Sequence, residues 1–172
     1  RYIVELYEAE GKFDRALATA RRLVELEPAN DEYWYRLAWV HEKSGQRDEA
    51  LRGLEKVIAL NPKHAGALNF LAYSYAERGE RLAEAEQYVL RALEIQPNDG
   101  FFIDSLGWVY YQRGQYEKAV EQLEKAFRLS GNDPVIGEHL ADAYAKTGRM
   151  SEAIRTYRDC GARTEDESQR RR

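Results

Sequence analysis

The sequence predicts an all-α solenoid of stacked helix–turn–helix repeats, and three observations carry that prediction. Glycines recur as Gly11, Gly45, Gly79, Gly114 and Gly148, spaced by 34, 34, 35 and 34 residues. Alanines recur as Ala16, Ala50, Ala85, Ala119 and Ala153, spaced by 34, 35, 34 and 34. Each glycine separates two stretches whose apolar residues fall at helical spacing, as "DEYWYRLAWVHEKSG" and "QRDEALRGLEKVIALNP" do around Gly45. A unit of this size cannot bury its apolar face alone, so stability comes from neighbours stacked in one direction.

The elements follow in order. The first unit, about residues 1–30, is partial: it opens on "RYIVELYEAEG", already inside an amphipathic helix, and reads as part of something longer. Pro28 closes it, because proline cannot continue a helix interior. The second unit, 31–64, turns at Gly45 and closes at Pro62; the third, 65–99, turns at Gly79 and closes at Pro97. The glycine and alanine series slip by one residue in different intervals, so the extra residue lies between Gly79 and Ala85, in "GERLAEA", and lengthens one turn. The fourth unit, 100–133, contains "DSLGWVYYQRGQYEKAVEQLEKAF", of which "YRLAWVHEKSGQRDEALRGLEKVI" in the second is a divergent copy. The fifth runs over 134–163, and 164–172, ending in Arg170, Arg171 and Arg172, is expected to be a polar tail.

Composition limits what this array does. At 172 residues, 44% hydrophobic and 33% charged, the chain is expected to be ordered rather than intrinsically disordered. Twenty-six Lys and Arg against 30 Asp and Glu leave a net charge of −4, and no helix carries a basic stripe, so nucleic acid is not an expected partner. No apolar run approaches the roughly 18 residues that span a bilayer. The single Cys160 forms no internal disulfide and leaves the compartment open.

Catalysis requires a nucleophile, a base and an orienting group in one place, or a metal with its ligands. His41, His64 and His139 fall in different units, and there is no HExxH, glycine-rich phosphate loop or paired cysteine motif. In "GEHLAD", Glu138, His139 and Asp142 share a helical spacing; a solvated polar face is the expected reading, not a metal site. The remaining carboxylates alternate with Lys and Arg at i, i+3 and i+4, as on an exposed helix face. No enzyme, metal or cofactor is expected.

The units resemble the tetratricopeptide repeat (TPR) family, whose first helix carries a large residue, Leu, a small residue and Tyr, with Ala on the second helix and Pro at the end. The matching residues are Trp34, Leu37, Ala38, Ala50 and Pro62; Leu71, Ala72, Tyr75, Ala85 and Pro97; Leu106, Gly107, Tyr110, Ala119 and Ala126; and Leu140, Ala141, Tyr144 and Ala153. His41 stands where the family has Tyr, and Gly131 where it has the closing proline. Packing explains the pattern: Ala38, Ala72, Gly107 and Ala141 let two helices approach, and the larger Leu and Tyr residues fill the space around them.

This resemblance implies a right-handed superhelix whose first helices line a concave wall. The residues it places there, as contacts for a protein or peptide partner, are Tyr35, Arg36, Trp39, Lys43, Asn69, Phe70, Tyr73, Phe101, Asp104, Trp108, Tyr111 and His139. Trp39, Tyr73 and Trp108 hold one repeat position in three successive units, either as an aromatic ladder open to a partner or as rings packed between adjacent helices. Arg36 and Lys43 are expected to meet partner carboxylates, and Asn69 and Asp104 a partner backbone. The rival expectation is self-assembly, with terminal units stacking on those of another copy.

The segments "LNFLAYSY", "DSLGWVYY" and "DPVIGEHLAD", together with the longer turn, resemble more closely a group of bacterial TPR lipoproteins, with Ala72 and Ala141 standing where that group more often has Gly. Several members face the periplasm from the outer membrane, and some act as adaptors that bind and activate a processing protease or deliver its substrate. That resemblance implies an envelope adaptor role, with the cytoplasm as the alternative compartment.

Overall fold

The computed structural model describes residues 2–170, with side chains from Ile3 to Ala162; Arg1, Arg171 and Arg172 lie outside the described residues. Ten α-helices follow one another, and no strand occurs among the described residues: α1 (Tyr2–Ala9), α2 (Phe13–Leu26), α3 (Asp31–Lys43), α4 (Arg47–Leu60), α5 (Ala65–Arg78), α6 (Leu82–Ile95), α7 (Gly100–Gln112), α8 (Tyr116–Leu129), α9 (Pro134–Lys146) and α10 (Met150–Arg170). α10 includes most of the segment expected as a tail.

The repeated glycine sits just beyond a first helix because the chain must take positive φ there. Gly45, at φ +78°, lets the Gln46 N–H reach back to the His41 carbonyl at 2.8 Å while its own N–H meets Glu42 at 3.0 Å. Gly114 repeats the arrangement with Gln115 to Tyr110 and Gly114 to Tyr111, both at 2.9 Å. These paired bonds are a Schellman closure, which satisfies carbonyls that the helix end would otherwise leave bare.

The inserted residue is Arg81. One residue separates Gly45 from α4 and Gly114 from α8, but Glu80 and Arg81 both separate Gly79 from α6. Arg81 adopts φ +48°, and its guanidinium lies 4.5 Å from the Tyr75 ring centroid while bonding the Tyr75 hydroxyl and Glu84. Contacts to Tyr75 and Glu84 thus hold a residue without the conformational freedom of glycine in the left-handed region.

The helices form two compact units, residues 1–71 and 72–172, with α5 contributing its first half to one and its second half to the other. In the first unit, Val4, Ala16, Leu17, Ala20, Val24, Leu37 and Val40 make a buried cluster, with Trp34 packed against it. Trp34 also donates its indole N–H to the Pro28 carbonyl at 2.9 Å, tying the turn before α3 to the core, and Asn30 caps that helix through the Tyr33 N–H. In the second unit, Ala119, Val120, Leu123, Leu140, Ala143, Tyr144 and Ala153 pack together, and Asp99 and Asp133 cap α7 and α9. Small residues set the spacing as expected: a Cβ on Gly107 would stand 2.6 Å from Leu123 Cγ, and one on Gly53 would stand 2.9 Å from the Ala38 Cβ.

Candidate functional site

In the first unit, an aromatic group forms where α3 meets the start of α5. Trp39 points outward with 37% of its surface exposed, edge-on to Phe70 at a centroid distance of 5.6 Å, and Lys43 Nζ lies 4.8 Å from its ring. Residues 39 and 43 are one turn apart, so the ammonium covers an indole face. Tyr35, one turn earlier, packs against His64 at 4.6 Å and meets Phe70 edge-on at 6.5 Å. Burial, then the nearby Glu32, raises the Tyr35 phenol pKa. The Asn69 Oδ1 is buried without a hydrogen-bond partner, so this residue carries an unused acceptor.

Arg36 does not wait for a partner's carboxylate. It pairs with Glu5 at 2.7 Å and Glu8 at 3.5 Å, both on α1, which corrects the sequence expectation. The i, i+3 acids Glu5 and Glu8 of the first repeat were not expected to fold back onto the second repeat, within the same compact unit. Burial raises the pKa of Glu8 against the opposing charge of Arg36, whose guanidinium therefore tethers α1.

The second unit gathers a larger set. Trp108, half-buried on α7, is sandwiched: Tyr111 stacks on one side at 4.7 Å and 7°, and His139 of α9 on the other at 4.3 Å and 18°. Tyr73 on α5 continues the row beyond His139 at 6.3 Å, and Tyr116 abuts Tyr111 edge-on at 5.4 Å. Trp108 donates its indole N–H to Glu77 at 2.7 Å. Phe101 lies at the start of α7, two turns before Trp108, and is exposed.

His139 is buried, which overturns its reading as part of a solvated polar face with Glu138 and Asp142. Its Nδ1 lies 2.9 Å from Asp104 Oδ1; with a carboxylate opposite, that nitrogen carries the hydrogen. Burial opposes charge on the imidazole, but the hydrogen bond to Asp104 and the charges of Asp104, Glu77 and Asp142 outweigh it and raise the His139 pKa. Asp104 is consequently engaged inside the unit and is not free to bond a partner backbone, a second correction. Tyr157 on α10 donates to Asp142, and burial followed by that bond pushes its phenol up to about 12.

The expected contacts thus separate into two sets: Tyr35, Trp39, Lys43, Asn69 and Phe70 in the first unit, and Tyr73, Phe101, Asp104, Trp108, Tyr111 and His139 in the second. Tyr157 was not anticipated, nor was the bond between Glu77 and Trp108. That bond was findable, because Glu77 precedes Trp108 by 31 residues, nearly one repeat, which brings side chains of neighbouring first helices to similar levels. Among the described residues, no group of three or more His, Cys, Asp or Glu side chains is placed to hold a metal, and no helix is long and apolar enough to cross a membrane.

Paired helices closed by glycine, a small residue at each close approach and aromatic first helices define a tetratricopeptide-type array. Residues 3–164 match the family described as the Cilia and flagella-associated protein 70 middle TPR-like domain, and the chain belongs to that family. It is 29% identical over 148 residues to the TPR repeat-containing protein PA4667 of Pseudomonas aeruginosa, covering 82% of this chain and 25% of that one. The chain spans 19% to 35% of the length of the first curated relatives it matches. Among solved structures, the TPR protein TTC0263 of Thermus thermophilus superposes with a TM-score of 0.77 at 26% identity, over 92% of this chain and 87% of that one. MamA of Desulfovibrio magneticus superposes with a TM-score of 0.80 over 96% and 93% of the two chains; at 19% identity it speaks for the fold alone. TPR repeat proteins generally mediate protein–protein interaction.

Proposed function

We propose that the chain is a non-catalytic interaction module that holds a peptide or protein segment against the aromatic faces of its first helices. In the cell it serves as part of a bacterial envelope adaptor that presents the bound segment to a processing protease or an assembly machine. Similarity to the Pseudomonas TPR protein and the "DSLGWVYY" and "EHLAD" segments support the adaptor reading.

The observation that carries the binding role is the setting of Trp108. Its ring is fixed between Tyr111 and His139 and by a bond to Glu77, yet part of it remains accessible. A rigid aromatic anchor loses little entropy on contact, which is why Trp and Tyr dominate interface energetics. The test is a pull-down from bacterial envelope extract with the wild-type chain and with Trp39→Ala, Trp108→Ala, both verified as folded by circular dichroism. Loss of the same partners with the variant supports the reading; identical capture by both contradicts it.

Exposed apolar stripes favour self-assembly as a second reading. Ile3 and Leu6 are exposed on α1, and Met150, Ile154 and Tyr157, at i, i+4 and i+7, are exposed on α10. Sedimentation velocity over a range of concentrations tests it: mass that rises for wild type and stays monomeric for Ile154→Ser supports assembly through α10.

A further inference from the structure

The aromatic row of the second unit is bordered by carboxylates that pair with no lysine or arginine among the described residues, and two of them, Glu77 and Asp142, act on the titratable His139. Glu77 accepts the indole hydrogen of Trp108, Asp142 accepts the phenol hydrogen of Tyr157, and the charges of both Asp142 and Glu138 act on Tyr157. Among the described residues, none of these three carboxylates is in an ion pair, whereas Glu84, Glu86, Glu124 and Glu152 of the same unit are each matched to an arginine. The negative field reaches the rings: after burial, Glu77 and Asp104 raise the Tyr73 phenol and Asp142 raises that of Tyr111.

An apolar end accompanies this acidic centre. Phe101 precedes Trp108 by seven residues on α7, and Val135 precedes Asp142 by seven on α9; both are 56% exposed. Seven residues are two helical turns, so each apolar side chain stands roughly 10 Å from the centre of the row. Exposed rings and unpaired carboxylates are together the complement of a long side chain with an apolar stem and a cationic head. A carboxylate holding one aromatic donor still has lone pairs for a guanidinium or ammonium, and the stem can lie along ring edges.

We propose that this face of the second unit binds a partner segment in the polyproline II conformation, carrying a lysine or arginine three residues from a large apolar side chain; three residues make one turn of that helix, roughly 9 Å, and put both side chains on the same side. The cation meets Glu77 and Asp142 beside Trp108, and the apolar side chain rests on Phe101 or Val135. This inference rests on the reading of the chain as an interaction module and names the chemistry of its partner.

The test uses a library of random peptides displayed on phage and selected on the immobilised wild-type chain, followed by titration of the selected peptides, labelled with fluorescein, by anisotropy. The expected result is enrichment of Lys or Arg three positions from an apolar residue. Affinity is expected to fall about tenfold, the equivalent of roughly 1.4 kcal/mol, for Glu77→Gln, Asp142→Asn, and again when the peptide's cation is replaced by Glu against the wild-type chain. The peptide replacement does not depend on how the variant folds. Peptides that lose affinity with Trp108→Ala but show no basic preference overturn this inference and leave the interaction module standing. Selection of no peptide sensitive to any of these changes overturns both.

Discussion

Asp104 and His139, 35 residues apart, meet through a 2.9 Å hydrogen bond inside the second unit. The pair joins α7 to α9 and presents the imidazole to Trp108, so the polar contact sets the position of the aromatic row. The bond engages Asp104 Oδ1 and His139 Nδ1, and through the stacked imidazole the pair positions Trp108.

That pair predicts a pH dependence. His139 has a raised folded pKa, since Asp104, Glu77 and Asp142 overcome the cost of burial, so the folded state holds its proton more tightly than the unfolded state. The resulting stability is fully present below the unfolded value near pH 6.5 and is lost as pH rises through the folded pKa. His41 acts in the opposite sense, because burial lowers its pKa. Urea unfolding of wild type and His139→Gln therefore isolates the effect: the stability difference is expected to be larger near pH 6 than near pH 8.5, and a difference that grows with pH contradicts the assignment.

Close packing predicts opposite outcomes at two glycines. Gly107→Ala places a methyl 2.6 Å from Leu123 Cγ and is expected to destabilise by about 1 to 3 kcal/mol. Gly161→Ala, in α10 with nothing within 4 Å, is expected to stabilise by up to about 1 kcal/mol through helix propensity. Urea midpoints at constant m-value check both.

Arg36 is predicted to act on stability rather than on recognition. Arg36→Met removes the partner of the partly buried Glu8 and is expected to cost about 1 to 3 kcal/mol while leaving partner capture unchanged once the variant is refolded at low temperature. Loss of capture at full stability would return Arg36 to the binding surface.

Trp39 and Trp108 are expected to differ. Trp39→Ala removes a ring that stands on the surface and should cost on the order of 1 kcal/mol of stability. Trp108→Ala empties a sandwich and should cost about 3 kcal/mol. Thermal unfolding of the two single variants distinguishes them.

Much of the fold was legible because repeats advertise themselves. Gly45 and Gly114 fall at the period because positive φ closes those helices, and the offset between the glycine and alanine series placed the inserted residue between Gly79 and Ala85, where the structure shows it to be Arg81. Faces were also legible, since the repeat register grouped Trp108, Tyr111 and His139 before their contacts were known. Partner choice was not: Arg36 turning to Glu5 and Glu8, and Asp104 to His139, depends on distances between helices that a register does not contain. Burial of His139 was misread for the same reason, because its helix alone presents it beside the polar Glu138 and Asp142.

Recognition through the aromatic faces can be read from the indole N–H signals of a 15N-labelled chain, titrated with the partner segment recovered from the pull-down. Three tryptophans give three signals, and Trp34, bonded to the Pro28 carbonyl in the turn before α3, is the internal reference. Trp39 and Trp108 are expected to shift on binding while Trp34 stays in place. Saturated binding with Trp39 and Trp108 both unmoved would contradict that expectation and place recognition away from the aromatic faces.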